Sequence, residues 1–283
     1  MLEINTLSFP GLGIKPFDVS TVAFTVFGID IAWYALIITF GMVLAVCYTI
    51  FRAKKIGVTV DDIIDFVIFV IPIGVLGARL YYVIMEIEKY HSLADVFAFR
   101  DGGLAIYGGI ITGTATVFIC CLVKKISFPA FGDCIVPGLI LAQAIGRWGN
   151  FINAEAHGGV TDIFIRMGIQ QYNGDFIYYH PTFLYESLWN IVGFIGINLF
   201  YKHKKYDGQI ILLVFGWYGL GRMLIEGMRT DSLYLWGTSI RTSQALAALI
   251  LVCCLAALIY FAIKPPKKEL YRRTVIEKKE KKG

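Results

Sequence analysis

The stretch "GRWGNFINAEAHG", Gly146–Gly158, places Arg147, Asn150, Asn153 and Glu155 near the end of a strongly apolar run. Ionisable groups in such a setting are costly in a bilayer, and they characteristically face the interior of a helix bundle, paired or engaged with a ligand. An arginine stays protonated when desolvated, and its planar fork matches the oxygens of a phosphate two at a time. Asparagine donates and accepts hydrogen bonds at once, as the hydroxyls of a polar lipid headgroup require. Read as a helix at about 100° per residue, Arg147, Asn150 and Glu155 fall on one broad face. Gly146 and Gly149 permit close helix approach or a break. Two roles fit these residues: an anion-binding site, or a polar network that only ties helices together.

Other polar groups interrupt the apolar runs. Arg222, Glu226 and Arg229 in "GRMLIEGMR" are spaced i, i+4, i+7, which predicts one helical stripe. Arg222 and Glu226 can pair, which leaves the stripe an excess of positive charge suited to an anion, although Asp231 is close in sequence to Arg229. Arg79, Tyr82 and Glu86 in "GARLYYVIME" also share a face; Arg79 there serves a ligand, forms an interhelical ion pair or snorkels to the interface. In "DGGLAIYGGI", Asp101 to Ile110, Tyr107 is followed by Gly108 and Gly109. Those glycines let a backbone come close to a ligand or to a neighbouring helix. "HPTFLYE" sets His180 and Glu186 at the start of an apolar run, where a solvated boundary residue is the plain reading.

The elements that must position these groups are membrane helices. Of the 283 residues, 57% are hydrophobic and 17% charged, where a soluble domain carries about a quarter charged residues. Several apolar runs approach or exceed the roughly 20 residues that cross a bilayer. Seven spans are predicted, at 21–51, 63–87, 104–123, 133–153, 182–201, 209–228 and 241–263. The expected fold is therefore an all-α polytopic membrane protein, with one transmembrane domain over residues 1–263 and a basic tail over 264–283. Pro72 is a candidate kink in the second span.

Most of the 26 lysines and arginines follow spans one, three, five and seven. The positive-inside rule then sets the N-terminus outside and the C-terminus in the cytoplasm. "MLEINTLSFPGLGIKPFD" lacks the basic start and apolar centre of a signal peptide, and its mixture suits a segment at the membrane surface. The six cysteines lie in or beside apolar runs without CxxC spacing and read as small hydrophobes rather than as a disulfide or metal framework. The tail suits a solvated topology anchor or contact with anionic lipid; a nucleic-acid partner is not expected.

The opening stretch resembles the signature of bacterial prolipoprotein diacylglyceryl transferases. Gly146, Arg147, Gly149, Asn150, Phe151, Ile152, Asn153, Glu155 and Gly158 satisfy each of its positions. "AWYAL" with Tyr34, "GARLYY", Asp133 ahead of Arg147, "HPTFLYE" and "GRMLIEGMR" are similar to further elements of that family. The resemblance implies transfer of the sn-1,2-diacylglyceryl group of phosphatidylglycerol to the lipobox cysteine of a prolipoprotein signal peptide. A thioether and glycerol 1-phosphate result, in the bacterial cytoplasmic membrane, with no metal or cofactor.

Within that expectation Arg147 and Arg222 bind the phosphate, because cations preorganised in a dry site stabilise a leaving group's growing charge. Asn150, Asn153 and Tyr34 hold the glycerol headgroup, with Arg79, Gly108, His180 and Glu186 as further substrate contacts. Glu155 and Glu226 fix the arginines or help move the thiol proton, since the attacking species is a thiolate and a free cysteine has a pKa of about 8.5. Many members carry a histidine before two glycines where this chain has Tyr107. A neutral phenol with a pKa near 10 is a poor base at neutral pH. Either Tyr107 donates a hydrogen bond, or the base is Glu155, Glu186 or His180. A transporter or channel for an anionic solute is the competing expectation, and a non-catalytic lipid-binding protein the third. No inverted repeat supports the transporter.

Overall fold

A computed structural model describes residues 4–90, 92–98, 102–230, 238, 241–264 and 266. Its helices are α1 (Trp33–Ala53), α2 (Val60–Met85), α3 (Leu93–Val96), α4 (Ile106–Val123), α5 (Phe128–Ile152), α6 (Thr182–Phe200), α7 (Gln209–Glu226) and α8 (Thr242–Ile263). All but the short α3 are long and apolar enough to cross a membrane, with mean hydropathies from 1.3 to 2.9. The chain is thus a multi-pass membrane protein, with seven helices among the described residues long and apolar enough to cross the bilayer. Their outward faces keep Leu, Ile, Val and Phe exposed, such as Phe40, Phe69, Ile111, Leu199 and Leu249, because lipid tails are as apolar as those side chains. Pro72 and Pro137 lie inside α2 and α5 without ending them.

Among the described residues, six strands correct the all-helical expectation. β1 (Ile4–Phe9), β2 (Ile14–Ser20), β5 (Met167–Gln170) and β6 (Phe176–Tyr179) form an antiparallel sheet in the order β2-β1-β5-β6. β3 (Val22–Val26) and β4 (Ile29–Ala32) form a separate hairpin. Residues 22–32 therefore belong to the hairpin, and the first helix begins at Trp33 rather than at 21. The run is apolar apart from Thr25 and Asp30, so hydropathy alone merges it with the span. Its β-branched residues and the Phe27-Gly28 turn, at φ +50° and +76°, make it a hairpin. The other helix bounds agree with the expected spans to within a few residues.

The chain falls into two compact units, one holding residues up to 48 together with 133–266, the other holding 49–132. The larger unit contains both sheets, most of α1 and α5, and α6, α7 and α8. Val136, Ile140, Ile197, Ile210 and Val214 form one core of it; Phe9, Met167 and Phe183 form another, between the four-stranded sheet and α6. The Asn5 amide donates to the Ile152 carbonyl at 3.0 Å, tying β1 to the end of α5.

In the smaller unit α2 packs along α4. Thr59 and Asp62 close a capping box at the start of α2, with the Asp62 amide donating to the Thr59 hydroxyl at 3.2 Å. Gly77 faces Thr112, and Gly108 faces the Gly77 carbonyl, so closely that a side chain at either glycine would collide. Small residues on facing helices allow this approach.

Candidate active site

The polar residues of α5, α6 and α7 converge inside the larger unit. Glu186, in the second turn of α6, is buried. Its carboxylate pairs directly with Arg147 of α5, and lies 3.5 Å from Arg222 of α7 and 3.5 Å from Arg229. Arg222 also pairs with Glu226, one turn along α7, at 2.8 Å. Three guanidiniums thus meet two carboxylates among the described residues. An isolated charge would be prohibitive at this depth, and pairing with hydrogen bonding is what makes the arrangement tolerable. A cationic excess aimed into a small lined space can take up an anion.

The signature stretch runs along the last turns of α5 and then leaves the helix. α5 ends at Ile152, so Glu155 lies beyond it, off the helical face on which the spacing alone would put it. Hydrogen bonds still join the set. Arg147 donates to the Asn150 side-chain oxygen at 3.2 Å, and the amides of Asn150 and Asn153 donate to Glu155 at 2.9 and 3.3 Å. The alanines on either side of Glu155, Ala154 and Ala156, adopt left-handed φ values of +53° and +54°. That conformation costs roughly 1–2 kcal/mol for an L-residue; it turns the chain sharply and returns Glu155 toward Asn150. Gly149 abuts Tyr34 of α1, where a Cβ would stand 2.5 Å from a ring carbon. Gly146 faces open space.

The end of the signature is stitched to α6 and to the segment after α7. Gly158 donates its N–H to the His180 carbonyl at 2.9 Å, Gly159 donates to the Met228 carbonyl at 2.9 Å, and Gly158 bridges Arg229. A Cβ on Gly158 would lie 2.7 Å from that of His180. Arg229 consequently sits in the turn after α7, not on the helical stripe its i+7 spacing predicts, because α7 ends at Glu226. It reaches Glu186 from there. His180 is in hydrogen-bond contact with the Tyr185 hydroxyl at 3.2 Å, and the His157 ring packs at a tilt against Tyr179.

Two devices set the register of these helices. Trp189 of α6 and Trp217 of α7 stack with ring centroids 4.2 Å apart, and each indole N–H donates to the other's carbonyl at 3.0 Å. Gly193 and Gly221 lie beneath those rings, with no room for a side chain. Trp189 is one turn from Glu186 and Gly221 is next to Arg222, so the clasp fixes the carboxylate against the arginine. At the other end of α7, the buried Asp133 carboxylate of α5 accepts the N–H groups of Gly208 and Ile211 at 2.8 and 2.9 Å and pairs with Lys204 at 2.9 Å. It caps the helix from outside, satisfying N–H groups that the first turn leaves unbonded. Burial works against the charge on Lys204, which lies outside the spans, but Asp133 and Asp207 outweigh it and hold the ammonium's pKa above its ordinary value.

Arg79, Tyr107 and Gly108 belong to the smaller unit. Arg79 is buried, and its guanidinium donates to the carbonyls of Val96 and Asp95, each at 2.8 Å, of Gly103 at 3.1 Å, and of Gly102. It also lies over the Tyr90 ring. Glu86 ends α2 and pairs with Lys89 at 2.8 Å. Tyr107 is in the first turn of α4 and exposed, and Gly108 is buried against α2. Asp101 and Asp231 lie outside the described residues.

Sequence reading passed over Gln143, Asn190 and Tyr218, which line one small cavity with Arg147, Glu186 and Arg222. The signal was available: each lies one helical turn from a charged member, Gln143 from Arg147, Asn190 from Glu186 and Tyr218 from Arg222. Glu186 is buried, so the solvated boundary residue, the plain alternative at that position, does not hold. Its partners come from α5, α7 and the turn beyond, and its own sequence neighbourhood carries no mark of them. Arg241 is a further addition, donating to the Glu226 carbonyl.

A helical membrane protein whose partly buried arginines converge on buried carboxylates belongs among those that handle anionic lipids or solutes. Comparison with known proteins narrows this. The family described as prolipoprotein diacylglyceryl transferase matches residues 21–260. Proteins named phosphatidylglycerol–prolipoprotein diacylglyceryl transferase are similar over most of the chain. The one from Clostridioides difficile (strain 630) is 44% identical over 244 residues, covering 86% of this chain and 96% of its own. That of Oceanobacillus iheyensis is 42% identical over 253 residues, covering 86% and 88%, and that of Listeria welshimeri is 42% identical over 266 residues, covering 90% and 95%. The chain belongs to the prolipoprotein diacylglyceryl transferase family.

Proposed function

We propose that this chain transfers the sn-1,2-diacylglyceryl group of phosphatidylglycerol to the lipobox cysteine thiol of a prolipoprotein signal peptide, in the bacterial cytoplasmic membrane. The supporting observation is the convergence of Arg147, Arg222 and Arg229 on the buried Glu186, within a chain that matches the family over residues 21–260. The cysteine sulfur attacks the glycerol carbon that bears the phosphate. The S–C bond forms as the C–O bond breaks, and the phosphate oxygen leaves with the electron pair as glycerol 1-phosphate. Arg147 and Arg222 stabilise the charge on that oxygen, and Glu186 and Glu226 hold the two guanidiniums in place. Preorganised charge in a dry site is the largest contribution an enzyme of this kind has available.

Asn150, Asn153 and Tyr34 bind the glycerol headgroup, with His180 as a further substrate contact. Glu186 and Glu226 are engaged by arginines, whereas the described partners of Glu155 are the amides of Asn150 and Asn153. Glu155 is therefore assigned the thiol proton. Arg79 shapes the loop ahead of Tyr107, and the Tyr107 hydroxyl positions substrate by a hydrogen bond. Basic residues following spans one, three, five and seven support a cytoplasmic C-terminus.

The test is purified protein in vesicles containing phosphatidylglycerol, given a lipobox peptide and analysed by mass spectrometry. A thioether-linked diacylglyceryl peptide with release of glycerol 1-phosphate is expected. Uptake of an anionic solute without peptide modification would favour the transporter.

A further inference from the structure

The β3–β4 hairpin has two unlike faces. Its register pairs Phe24 with Ile31, Thr25 with Asp30 and Val26 with Ile29. Side chains alternate along a strand, so Phe24, Val26, Ile29 and Ile31 form one apolar face, and Thr25 and Asp30 the other. Phe24, Val26 and Ile29 are exposed, and Phe27, at the tip, is fully exposed at 101%. On the opposite face the Thr25 hydroxyl donates to Asp30 at 2.6 Å. The hairpin contains no lysine or arginine. Among the described residues it pairs with no third strand, and an isolated two-stranded hairpin is at best marginally stable in water.

We infer that this hairpin is a membrane-interface anchor, its apolar face and the Phe27 tip seated at the boundary between lipid headgroups and acyl chains. Continuity with the bilayer names the occupant. β4 ends at Ala32, and α1, a membrane-crossing helix, begins at the next residue, Trp33, whose N–H donates to the Thr21 carbonyl at 3.0 Å. With four residues in β4 at about 3.3 Å each, the face cannot lie far from the level at which α1 enters lipid. The depth has a limit, because both strands carry unpaired edge groups that hydrocarbon does not satisfy. A polar face turned to water and an apolar face turned to lipid is the interfacial solution. The anchor also sets the depth of Tyr34, two residues past the hairpin.

The full-length protein in phosphatidylcholine vesicles tests this without reference to transfer. Phe27→Trp, Ile29→Trp and Thr25→Trp each add one indole to the five present, and the added emission is read against the unaltered protein. The first two are expected to emit at shorter wavelength than an indole in water. They should be quenched by lipid brominated near the headgroup end of the chain more than by lipid brominated at the chain terminus, while Thr25→Trp stays unquenched. Two variants on one face keep the reading secure if either fails to fold. Water-like, unquenched emission from Phe27→Trp and Ile29→Trp overturns the proposal, as does stronger quenching from the chain terminus. Shifted but unquenched emission means that protein, such as a second copy of the chain, covers the face, and also overturns it.

Discussion

Arg147 of α5 and Glu186 of α6 form a direct ion pair, and the same carboxylate also faces Arg222 and Arg229. One buried glutamate thus fixes three cations that would otherwise repel one another. This separates the residues expected to act on phosphate from the residue that holds them.

Alanine at Arg147 or Arg222 is expected to lower the transfer rate by about 10²-fold or more, the loss typical of a preorganised charge-stabilising donor. The protein should still insert, as judged by its yield and elution in detergent. Arg147→Lys should recover little, since an ammonium cannot reproduce the planar fork. Full transfer by either alanine variant contradicts the phosphate assignment.

Glu186→Gln leaves three guanidiniums around the remaining carboxylate. Breaking one side of a buried pair costs about 3–5 kcal/mol, so a clear fall in thermal midpoint in detergent is expected together with loss of transfer. An unchanged midpoint would show that Glu186 does not hold the cluster.

Gly221→Ala drives a methyl into the Trp189 ring and shifts the residue beside Arg222. A displacement of about 1 Å can cost 10²-fold in rate, so kcat should fall by far more than the phosphatidylglycerol KM rises. Trp217→Phe removes one of the two reciprocal hydrogen bonds and should show a milder form of the same defect.

Lys204 supplies a pH dependence. Its folded pKa is raised, so its contribution to stability is complete below the unfolded value of about 10.4 and is lost as pH rises through the folded one. The difference in thermal midpoint between the unaltered protein and Lys204→Met should be constant through neutral pH and shrink only in the alkaline range. A difference that persists undiminished far into the alkaline range would contradict the Asp133–Lys204–Asp207 assignment.

Tyr107→Phe distinguishes positioning from proton transfer. Loss of a general base costs about 10²–10⁴-fold, whereas loss of one neutral hydrogen bond, worth roughly 1 kcal/mol, costs less than tenfold. The smaller loss is expected for Tyr107→Phe, and the larger one for Glu155→Gln, both read as rates of peptide lipidation.

The sequence by itself determined the membrane helices, because a bilayer demands long uninterrupted apolar runs, and seven of them stand out between charged loops. It also singled out Arg147, Asn150, Asn153, Glu155, Arg222 and Glu226, because polar groups in such runs are expensive enough to be conspicuous. Only the tertiary structure decided which of them meet. Glu186 sits within ion-pair reach of arginines 36, 39 and 43 residues away, and Asp133 caps a helix 75 residues further along. Distances of that order carry no local period to read. The hairpin escaped for the opposite reason: Val22 to Ala32 is as apolar as the helix it joins, and only its strand pairing shows where the span begins. Hydropathy records what the solvent will accept, and helix packing decides which side chains share a site.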